Sequence, residues 1–213
     1  MFIRGILFAN GMTAKRWRMR TKLRSNATSE LLPEPAHCVV KMFFEIAQLK
    51  TLYRQGWLRN GIPEKKCESV ADHCCIVAML GYAIAREYRP DLDPARVMEL
   101  GMFHEIGEIY AGDIGPHDGI SLEEKARREY DSVLRVTREF PNSQRYVDLW
   151  LEFDRKTSPE AKFVSQIDRL ELALQTSLYS RAGYRNLDEF FKWCDERIND
   201  PELREMFSAI PQK

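Results

Sequence analysis

Four residues that can bind a divalent metal ion lie in three separate stretches of the chain, namely His73, His104 with Glu105, and Asp168. Imidazole nitrogen and carboxylate oxygen together suit a borderline or hard first-row ion better than they suit a thiolate-bound zinc. The five cysteines are odd in number and include no Cys-x-x-Cys pair, which argues against a four-thiolate zinc site and a disulfide framework. The three stretches are explained together if they meet at one divalent ion.

A residue that could activate water lies four positions after His104. On a helix, His104 and Glu108 share one face about one turn apart, so Glu108 could lean over the open side of an ion held by His104. Glu105 points about 100 degrees away on an ideal helix, but its long side chain can reach an ion lodged between helices of a bundle. This spacing predicts a metal ion beside an activated water molecule.

Each candidate ligand also has a structural interpretation. A single helical histidine such as His73 is more often a core or surface residue than a ligand. Asp168 lies in an otherwise apolar helical stretch, where a buried carboxylate is unfavourable unless a cation accompanies it. That cation could be a metal ion, or it could be Arg169 or Arg181.

Helical periodicity dominates the chain, and signals for β-strands are almost absent. Apolar residues spaced by three and four, together with Ser, Asp and Pro start signals, predict an all-α bundle of seven to nine helices. The predicted helices cover roughly residues 36–54, 68–88, 93–109, 121–140, 144–154, 158–179, 187–197 and 200–208. In the first of these, the apolar residues from Val39 to Leu52 have the spacing of one buried stripe.

The composition indicates one globular domain of residues 36–213. Of 213 residues, 44% are apolar and 30% are charged, and the formal net charge is zero. No global field therefore recruits a nucleic acid polymer or a membrane.

Residues 1–35 are predicted to be a basic extension, since Met1–Ser29 carries seven Lys or Arg and no acid. A transit peptide, a flexible tail and a start codon placed upstream of the true one all remain open, and the cytoplasm is the expected compartment.

Three motifs in this order resemble a known family. Glu68-Ser-Val-Ala-Asp-His73, His104-Glu-Ile-Gly-Glu-Ile-Tyr-Ala-Gly-Asp113 and Glu160-Ala-Lys-Phe-Val-Ser-Gln-Ile-Asp168 resemble the metal motifs of HD-domain phosphohydrolases, specifically the 5'-deoxynucleotidase branch. The resemblance covers roughly residues 37–208. It implies a single HD-domain helical bundle that hydrolyses 2'-deoxynucleoside 5'-monophosphates to a deoxynucleoside and phosphate.

The resemblance also implies roles for particular residues. One divalent ion, expected to be manganese, cobalt or magnesium, would be bound by four ligands: His73, His104, Glu105 and Asp168. Glu108 would orient or deprotonate the attacking water. Asp113 would help to hold this water or would complete a second, weaker metal site with Glu108.

Substrate contacts are expected from the stretch Leu49–Gly61, which resembles the family's substrate-side loop. Arg54 is the candidate for binding the 5'-phosphate through its planar guanidinium, although Arg59 could exchange roles with it. Trp57 would pack against the sugar or base, or would instead anchor the core.

One residue departs from the family pattern, in which the second motif reads His-Asp. Glu105 is a competent oxygen ligand, but its extra methylene shifts an ion or its water, so we expect metal binding to tolerate the change better than catalysis does. Two alternatives follow: the same centre acting on another nucleotide or small phosphoester, or a weakly active protein that binds nucleotides for regulation. A homodimer is expected in each case.

Overall fold

The structure, a computed structural model, describes residues 31, 36–116 and 118–211. Within these residues the regular structure is helical, apart from one isolated β-bridge between Tyr53 and Ser69. The predicted all-α fold class is therefore confirmed. The predicted extension, residues 1–35, lies outside the described residues except for Leu31, so its boundary with the domain stays a prediction. None of the described helices is long and apolar enough to cross a membrane.

Ten α-helices follow one another along the described chain. They are α1 (Cys38–Ile46), α2 (Gln55–Arg59), α3 (Val70–Tyr88), α4 (Pro94–Phe103), α5 (Glu108–Ala111), α6 (Leu122–Thr137), α7 (Ser143–Arg155), α8 (Pro159–Arg181), α9 (Asp188–Asp195) and α10 (Pro201–Ser208), and a 3-10 helix, Ala47–Lys50, continues α1. Eight of these α-helices have eight residues or more, within the predicted range, while α2 and α5 are single turns.

The predicted start signals of the helices are confirmed. Ser69 and Asp72 form a reciprocal capping box at the start of α3, while Asp93 caps α4 ahead of a proline. Ser121 and Ser158 cap α6 and α8 through their side-chain oxygens. Each cap satisfies backbone N–H groups that the first helical turn leaves unpaired, which contributes about 1 kcal/mol.

Helix α8, the longest of the described helices with 23 residues, lies at the centre of the bundle. It packs against α3, α4, α7, α9 and α10. Val77 of α3, Val97 of α4 and Ile167 of α8 are fully buried in the shared core, and burying such a side chain contributes about 1.5–3 kcal/mol. Since candidate ligands were predicted on α3, near the end of α4 and on α8, this packing places them at one crossing of three helices.

The stripe predicted to be buried along residues 36–54 is wrong for its first half. No residue of α1 is buried, and Val39 and Phe43 are 55% and 62% exposed. Leu49 and Leu52, beyond α1, are buried as predicted. The periodicity identified an amphipathic helix, but it carried no information on which element covers the apolar face.

The helix predicted to run from residue 93 to residue 109 ends earlier, at Phe103. His104 Nδ1 lies 2.8 Å from the carbonyl oxygen of Gly101, the acceptor that a continuing α-helix would offer to the N–H of Glu105. The next turns are tighter, with backbone bonds from Ile106 to Phe103 and from Glu108 to Glu105. The side chain of His104 thus replaces a helical hydrogen bond, and the chain turns between α4 and α5.

Candidate metal centre

Two histidines from neighbouring helices face each other in the interior. His73, in the first turn of α3, is fully buried, and His104, which caps the end of α4, is 2% exposed. Their Nε2 atoms are 3.3 Å apart. Asp168 of α8 joins them, with Oδ1 3.3 Å from His73 Nε2. The fold therefore brings together three predicted ligands that are spread over about a hundred positions of the sequence.

Glu105 reaches the same cluster from the turn after α4. Its Oε1 lies 3.6 Å from His104 Nε2, and donor atoms of His73, His104 and Glu105 all lie within 4.8 Å of one another. Asp168 contacts this group at His73. Because the chain turns at His104, Glu105 does not point away as it would on an uninterrupted helix.

The donor set fits a divalent cation. Two ligand atoms about 2.1 Å from a common ion, at angles near 90–110 degrees, are about 3.0–3.4 Å apart, and the two separations measured at His73 Nε2 are both 3.3 Å. Asp168 Oδ1 and Glu108 Oε2 are buried oxygens without a hydrogen-bond partner among the described residues. Buried oxygens of this kind are unfavourable unless a cation or a bound molecule satisfies them.

Electrostatics keep two of the candidate ligands ionised. Burial acts to raise the pKa of Glu105, but the charges of His104 and Arg54 outweigh burial and lower it. Burial likewise acts to raise the pKa of Asp168, but Arg169 and His73 outweigh it and hold the pKa well below its usual range. Ionised carboxylates are the form that binds a cation.

Glu108 has the opposite behaviour. It is 2% exposed, and burial, together with the nearby charges of Glu105 and Asp113, raises its pKa well above the usual value. A raised carboxyl pKa brings proton exchange closer to neutral pH, where general acid and base catalysis is most effective. Glu108 therefore has the burial and the electrostatic environment of a proton-transfer group.

The two histidines also differ. Burial lowers the pKa of His104. For His73, burial and Arg54 act to lower the pKa, but Glu171 and Asp168 outweigh them and raise it to about 10. A divalent cation takes the place of the proton on a ligating nitrogen, so metal binding at His73 competes with protonation of this ring.

Arg54 lies at the edge of the cluster. Its Nη1 is 3.5 Å from Glu105 Oε1 and 3.4 Å from Asp113 Oδ1, and its side chain is 14% exposed. Arg59 instead forms an ion pair with Asp118. Of the two arginines weighed as phosphate ligands, Arg54 is therefore the one beside the candidate metal ligands.

Asp113 connects this arginine to the start of α2. Its Oδ2 accepts a hydrogen bond from the backbone N–H of Gln55, the first residue of α2, while Oδ1 faces Arg54. The carboxylate thus fixes the loop that carries Arg54. Its predicted part in holding water, and the second metal site with Glu108, stay predictions, because neither three-donor group among the described residues includes these two side chains.

Trp57 is a core residue in this structure. It is 1% exposed, and its ring packs against Phe190 and Tyr179 at centroid distances of 4.5 and 5.1 Å. Its Nε1 donates a hydrogen bond of 2.6 Å to Glu68. Of the two interpretations, the core anchor agrees with this conformation. The predicted contact with the sugar or base would require the ring to become exposed.

Two charged residues near the centre, Lys125 and Glu129, were not among the site residues predicted from the sequence. Lys125 and Glu129 belong to the charged run 123–129, whose i, i+4 spacing is typical of ion pairs on a solvated helix face, yet Glu129 is only 8% exposed and pairs with Lys125. A Cβ atom on Gly107 would lie 3.0 Å from Glu129 Cβ, so the turn that carries Glu105 packs directly on this pair. The i, i+4 spacing of this pair can be seen in the sequence, but the burial of Glu129 cannot.

Asp168 has support on its outer side. Arg169 Nη1 lies 2.7 Å from Asp168 Oδ2, which leaves Oδ1 directed at His73. The guanidinium of Arg169 lies over the ring of Trp193 at 4.2 Å from the centroid, and that of Arg197 contacts the same ring at 4.6 Å. The salt bridge considered as an alternative to metal binding is therefore present, but it occupies the other carboxylate oxygen.

The helical bundle and its cluster of imidazole and carboxylate donors are typical of a helical metal-binding protein, and the comparison with known families agrees with this class. The model of the HD domain matches residues 46–209. The chain belongs to the HD-domain family.

Among similar proteins are several that are named 5'-deoxynucleotidases. Human 5'-deoxynucleotidase HDDC2 is 32% identical over 169 residues, which cover 78% of this chain and 80% of that protein. 5'-Deoxynucleotidase hdd1 of Schizosaccharomyces pombe is 31% identical over 176 residues, covering 79% of this chain and 86% of that one.

Solved structures show the same fold. A conserved hypothetical protein from Pyrococcus furiosus superimposes with a TM-score of 0.66 at 25% identity, covering 80% of this chain and 98% of that chain. A protein from Magnetospirillum magnetotacticum, described as a predicted metal-dependent phosphohydrolase, gives a TM-score of 0.63 at 22% identity, with coverages of 84% and 93%.

Proposed function

We propose that this protein is a metal-dependent 5'-deoxynucleotidase that hydrolyses 2'-deoxynucleoside 5'-monophosphates to a deoxynucleoside and phosphate. The observation that carries the proposal is the buried cluster of His73, His104, Glu105 and Asp168 with the unpartnered oxygen of Glu108 beside it. The names of the relatives at about 30% identity support the choice of substrate.

His73, His104, Glu105 and Asp168 are the residues that would hold one divalent ion. Such an ion supplies Lewis-acid stabilisation of the phosphoryl group and lowers the pKa of water. Carboxylate oxygens suit manganese and magnesium, whereas two imidazole nitrogens favour a first-row transition ion, so manganese and cobalt are expected ahead of magnesium. The protein side of the site is built for it, since Arg169 and Glu171 hold the outer atoms of Asp168 and His73.

Glu108 would orient the attacking water and accept its proton. The carboxyl is buried, and Oε2 has no hydrogen-bond partner among the described residues, so this oxygen is available as an acceptor. Its raised pKa also lets the protonated form return the proton to the leaving 5'-oxygen. Asp113 would help to hold the water or complete a second, weaker metal site.

Arg54 would bind the 5'-phosphate of the substrate. Its contacts with Glu105 and Asp113, at 3.5 and 3.4 Å, are long for charge-assisted hydrogen bonds, so the guanidinium can turn toward an incoming phosphate. The positive charge of Arg54 also offsets part of the negative charge of the surrounding carboxylates, which would otherwise repel a phosphate dianion.

The substrate is a small molecule, and the proposal involves neither a nucleic acid polymer nor a membrane. A homodimer and a cytoplasmic location accompany the proposal as predictions. Equilibrium sedimentation of the full chain tests the first of these, and localisation of a tagged full-length protein tests the second.

The test of function is phosphate release from a panel of nucleotides, with manganese, cobalt or magnesium added to the chelator-treated full chain. We expect 2'-deoxynucleoside 5'-monophosphates to be hydrolysed faster than ribonucleotides or diesters. Glu108→Gln, which keeps the shape but cannot take up a proton, should lose at least 100-fold in kcat, within the range of about 10²–10⁴ for acid–base catalysts. Glu87→Gln, a change at an exposed position of α3, is the matched control.

Activity confined to ribonucleotides or to diesters would refute the deoxynucleotidase and favour another phosphohydrolase. A wild-type protein that binds metal and nucleotide but releases no phosphate, while Glu105→Asp gains turnover, would instead establish the regulatory alternative. Equal turnover of wild type and Glu105→Asp would show that the turn after α4 accommodates the longer side chain.

A further inference from the structure

The two candidate histidine ligands are held by different kinds of acceptor. His104 Nδ1 contacts the backbone carbonyl oxygen of Gly101 at 2.8 Å, a neutral group. His73 Nδ1 contacts Glu171 Oε2 at 2.7 Å, a carboxylate that is itself 2% exposed. Both rings therefore direct Nε2 at the centre, but only one of these two is backed by a buried negative charge.

Helix α8 supplies both the ligand and this backing group. Asp168 and Glu171 are three residues apart, so they lie on one face of α8, about one turn from each other. Asp168 Oδ1 meets His73 at Nε2, and Glu171 Oε2 meets the same ring at Nδ1. Residues of α8 thus face both nitrogens of the α3 imidazole, and the hydrogen bond between Nδ1 and Glu171 fixes the orientation of the ring.

A carboxylate on the far nitrogen changes the ligand chemically. An imidazole that donates Nδ1–H to a carboxylate keeps its Nε2 lone pair free for the metal, and the negative charge increases the basicity of that lone pair. Such outer partners typically change metal affinity by about 10- to 100-fold. A neutral carbonyl, as at His104, orients the ring without supplying this charge.

We propose that Glu171 is a positioning residue that sets the affinity of the centre for a divalent cation by orienting and polarising His73. The inference rests on the metal centre of the proposed function. On this inference His73 of α3 is the stronger of the two nitrogen donors. Helix α8 then both supplies Asp168 and orients His73.

The same atoms permit a competing interpretation. Donor atoms of Glu68, His73 and Glu171 lie within 4.8 Å of one another, so they could hold a second ion. The contacts favour the positioning role: the distance between Glu171 and His73 is that of a short hydrogen bond, and Glu68 accepts a hydrogen bond from Trp57 Nε1 at 2.6 Å. The two interpretations differ in the number of ions bound.

The experiment is a calorimetric titration of the chelator-treated full chain with Mn²⁺ alone. It measures the number of ions bound and their Kd. We expect wild type to bind one ion, and Glu171→Gln to bind one ion with a Kd about 10- to 100-fold higher. Glu171→Asp, which keeps the charge, should recover part of this loss. Glu87→Gln makes the same chemical change at an exposed position of α3 and should bind as wild type does.

Three results would overturn the inference. An unchanged Kd in Glu171→Gln removes the role, and so does an equal loss in Glu171→Gln and Glu171→Asp, because affinity would then follow packing at this position rather than charge. Two ions in wild type and one in Glu171→Gln would make Glu171 a direct ligand. If wild type binds no Mn²⁺, the metal centre of the proposed function fails as a whole, a result distinct from the other three.

Discussion

A single methyl group at the crossing of α3 and α4 should disable the metal centre without touching a ligand. Gly101 is buried on α4, and a Cβ atom at this position would lie 2.8 Å from Ala78 Cα and 3.1 Å from its backbone nitrogen. These are backbone atoms of α3, so no rotamer change can relieve the contact. Gly101→Ala must therefore move one helix relative to the other.

The size of the movement follows from the contact distance. Two carbon atoms settle about 3.5–4.0 Å apart, so the helices must separate locally by about 0.7–1.2 Å. His73 and His104 lie on these helices, one on each, with Nε2 atoms 3.3 Å apart, whereas metal–ligand distances tolerate only about 0.2 Å. Even half of the shift exceeds that tolerance, and a misplacement of 1 Å can reduce catalysis about 100-fold.

Stability should change less than function does. Alanine gains about 1 kcal/mol over glycine in a helix interior, and overpacking a core costs about 1–3 kcal/mol. The net loss is about 0–2 kcal/mol, equivalent to a fall in Tm of up to about 8 °C for a domain of this size. The variant should therefore remain folded at 25 °C while its metal site is displaced.

The assay combines the Kd for Mn²⁺, phosphate release from 2'-deoxyadenosine 5'-monophosphate, and thermal unfolding. We expect Gly101→Ala to raise the Kd at least 10-fold and lower kcat/KM about 100-fold. Gly81→Ala is the matched control in the same helix pair, because its Cβ would meet side-chain atoms, Val97 Cγ1 at 3.0 Å and Ile167 Cγ2 at 3.7 Å, and no backbone atom of α4 within 4 Å among its three nearest neighbours. A folded Gly101→Ala with wild-type affinity and turnover would refute the reasoning, as would equal losses in both variants.

Three further outcomes are expected. Treatment with EDTA should abolish phosphate release and added Mn²⁺ should restore it; activity that persists after chelation would contradict a metal-dependent reaction. Arg54→Lys should raise KM for the deoxynucleotide about 10-fold, because an ammonium cannot form the paired hydrogen bonds of a guanidinium, and an unchanged KM would remove Arg54 from the phosphate site. Trp57→Phe should lower the free energy of unfolding by about 1–3 kcal/mol, since the carboxylate of Glu68 loses its donor, and an unchanged denaturation midpoint would contradict this.

Much of the fold could be predicted from the sequence because its signals are local. Ser69, Asp93, Ser121 and Ser158 each begin a helix, and a capping residue acts within its own first turn. The burial of α1 could not be predicted in this way. Val39 and Phe43 have helical spacing, but their exposure depends on which distant elements pack against them.

The site was predictable where residue chemistry is unusual, and less so where geometry decides. Asp168 in an apolar helix indicated a cation, and the structure places a histidine at one oxygen and Arg169 at the other. The turn at His104 was not predicted, because it depends on a side chain replacing a backbone hydrogen bond to Gly101. The contact between Glu171 and His73 spans 98 positions and leaves no trace in local spacing.

The stack of Arg169 and Arg197 on Trp193 has a consequence for biosynthesis. All the candidate ligands are translated before this tryptophan, yet the guanidinium that pairs with Asp168 packs on its ring. Contacts between distant parts of a chain form late, after the entropy of closing the intervening loop has been overcome. Cation binding should therefore reach its full strength only when α9, which carries Trp193, has packed against α8.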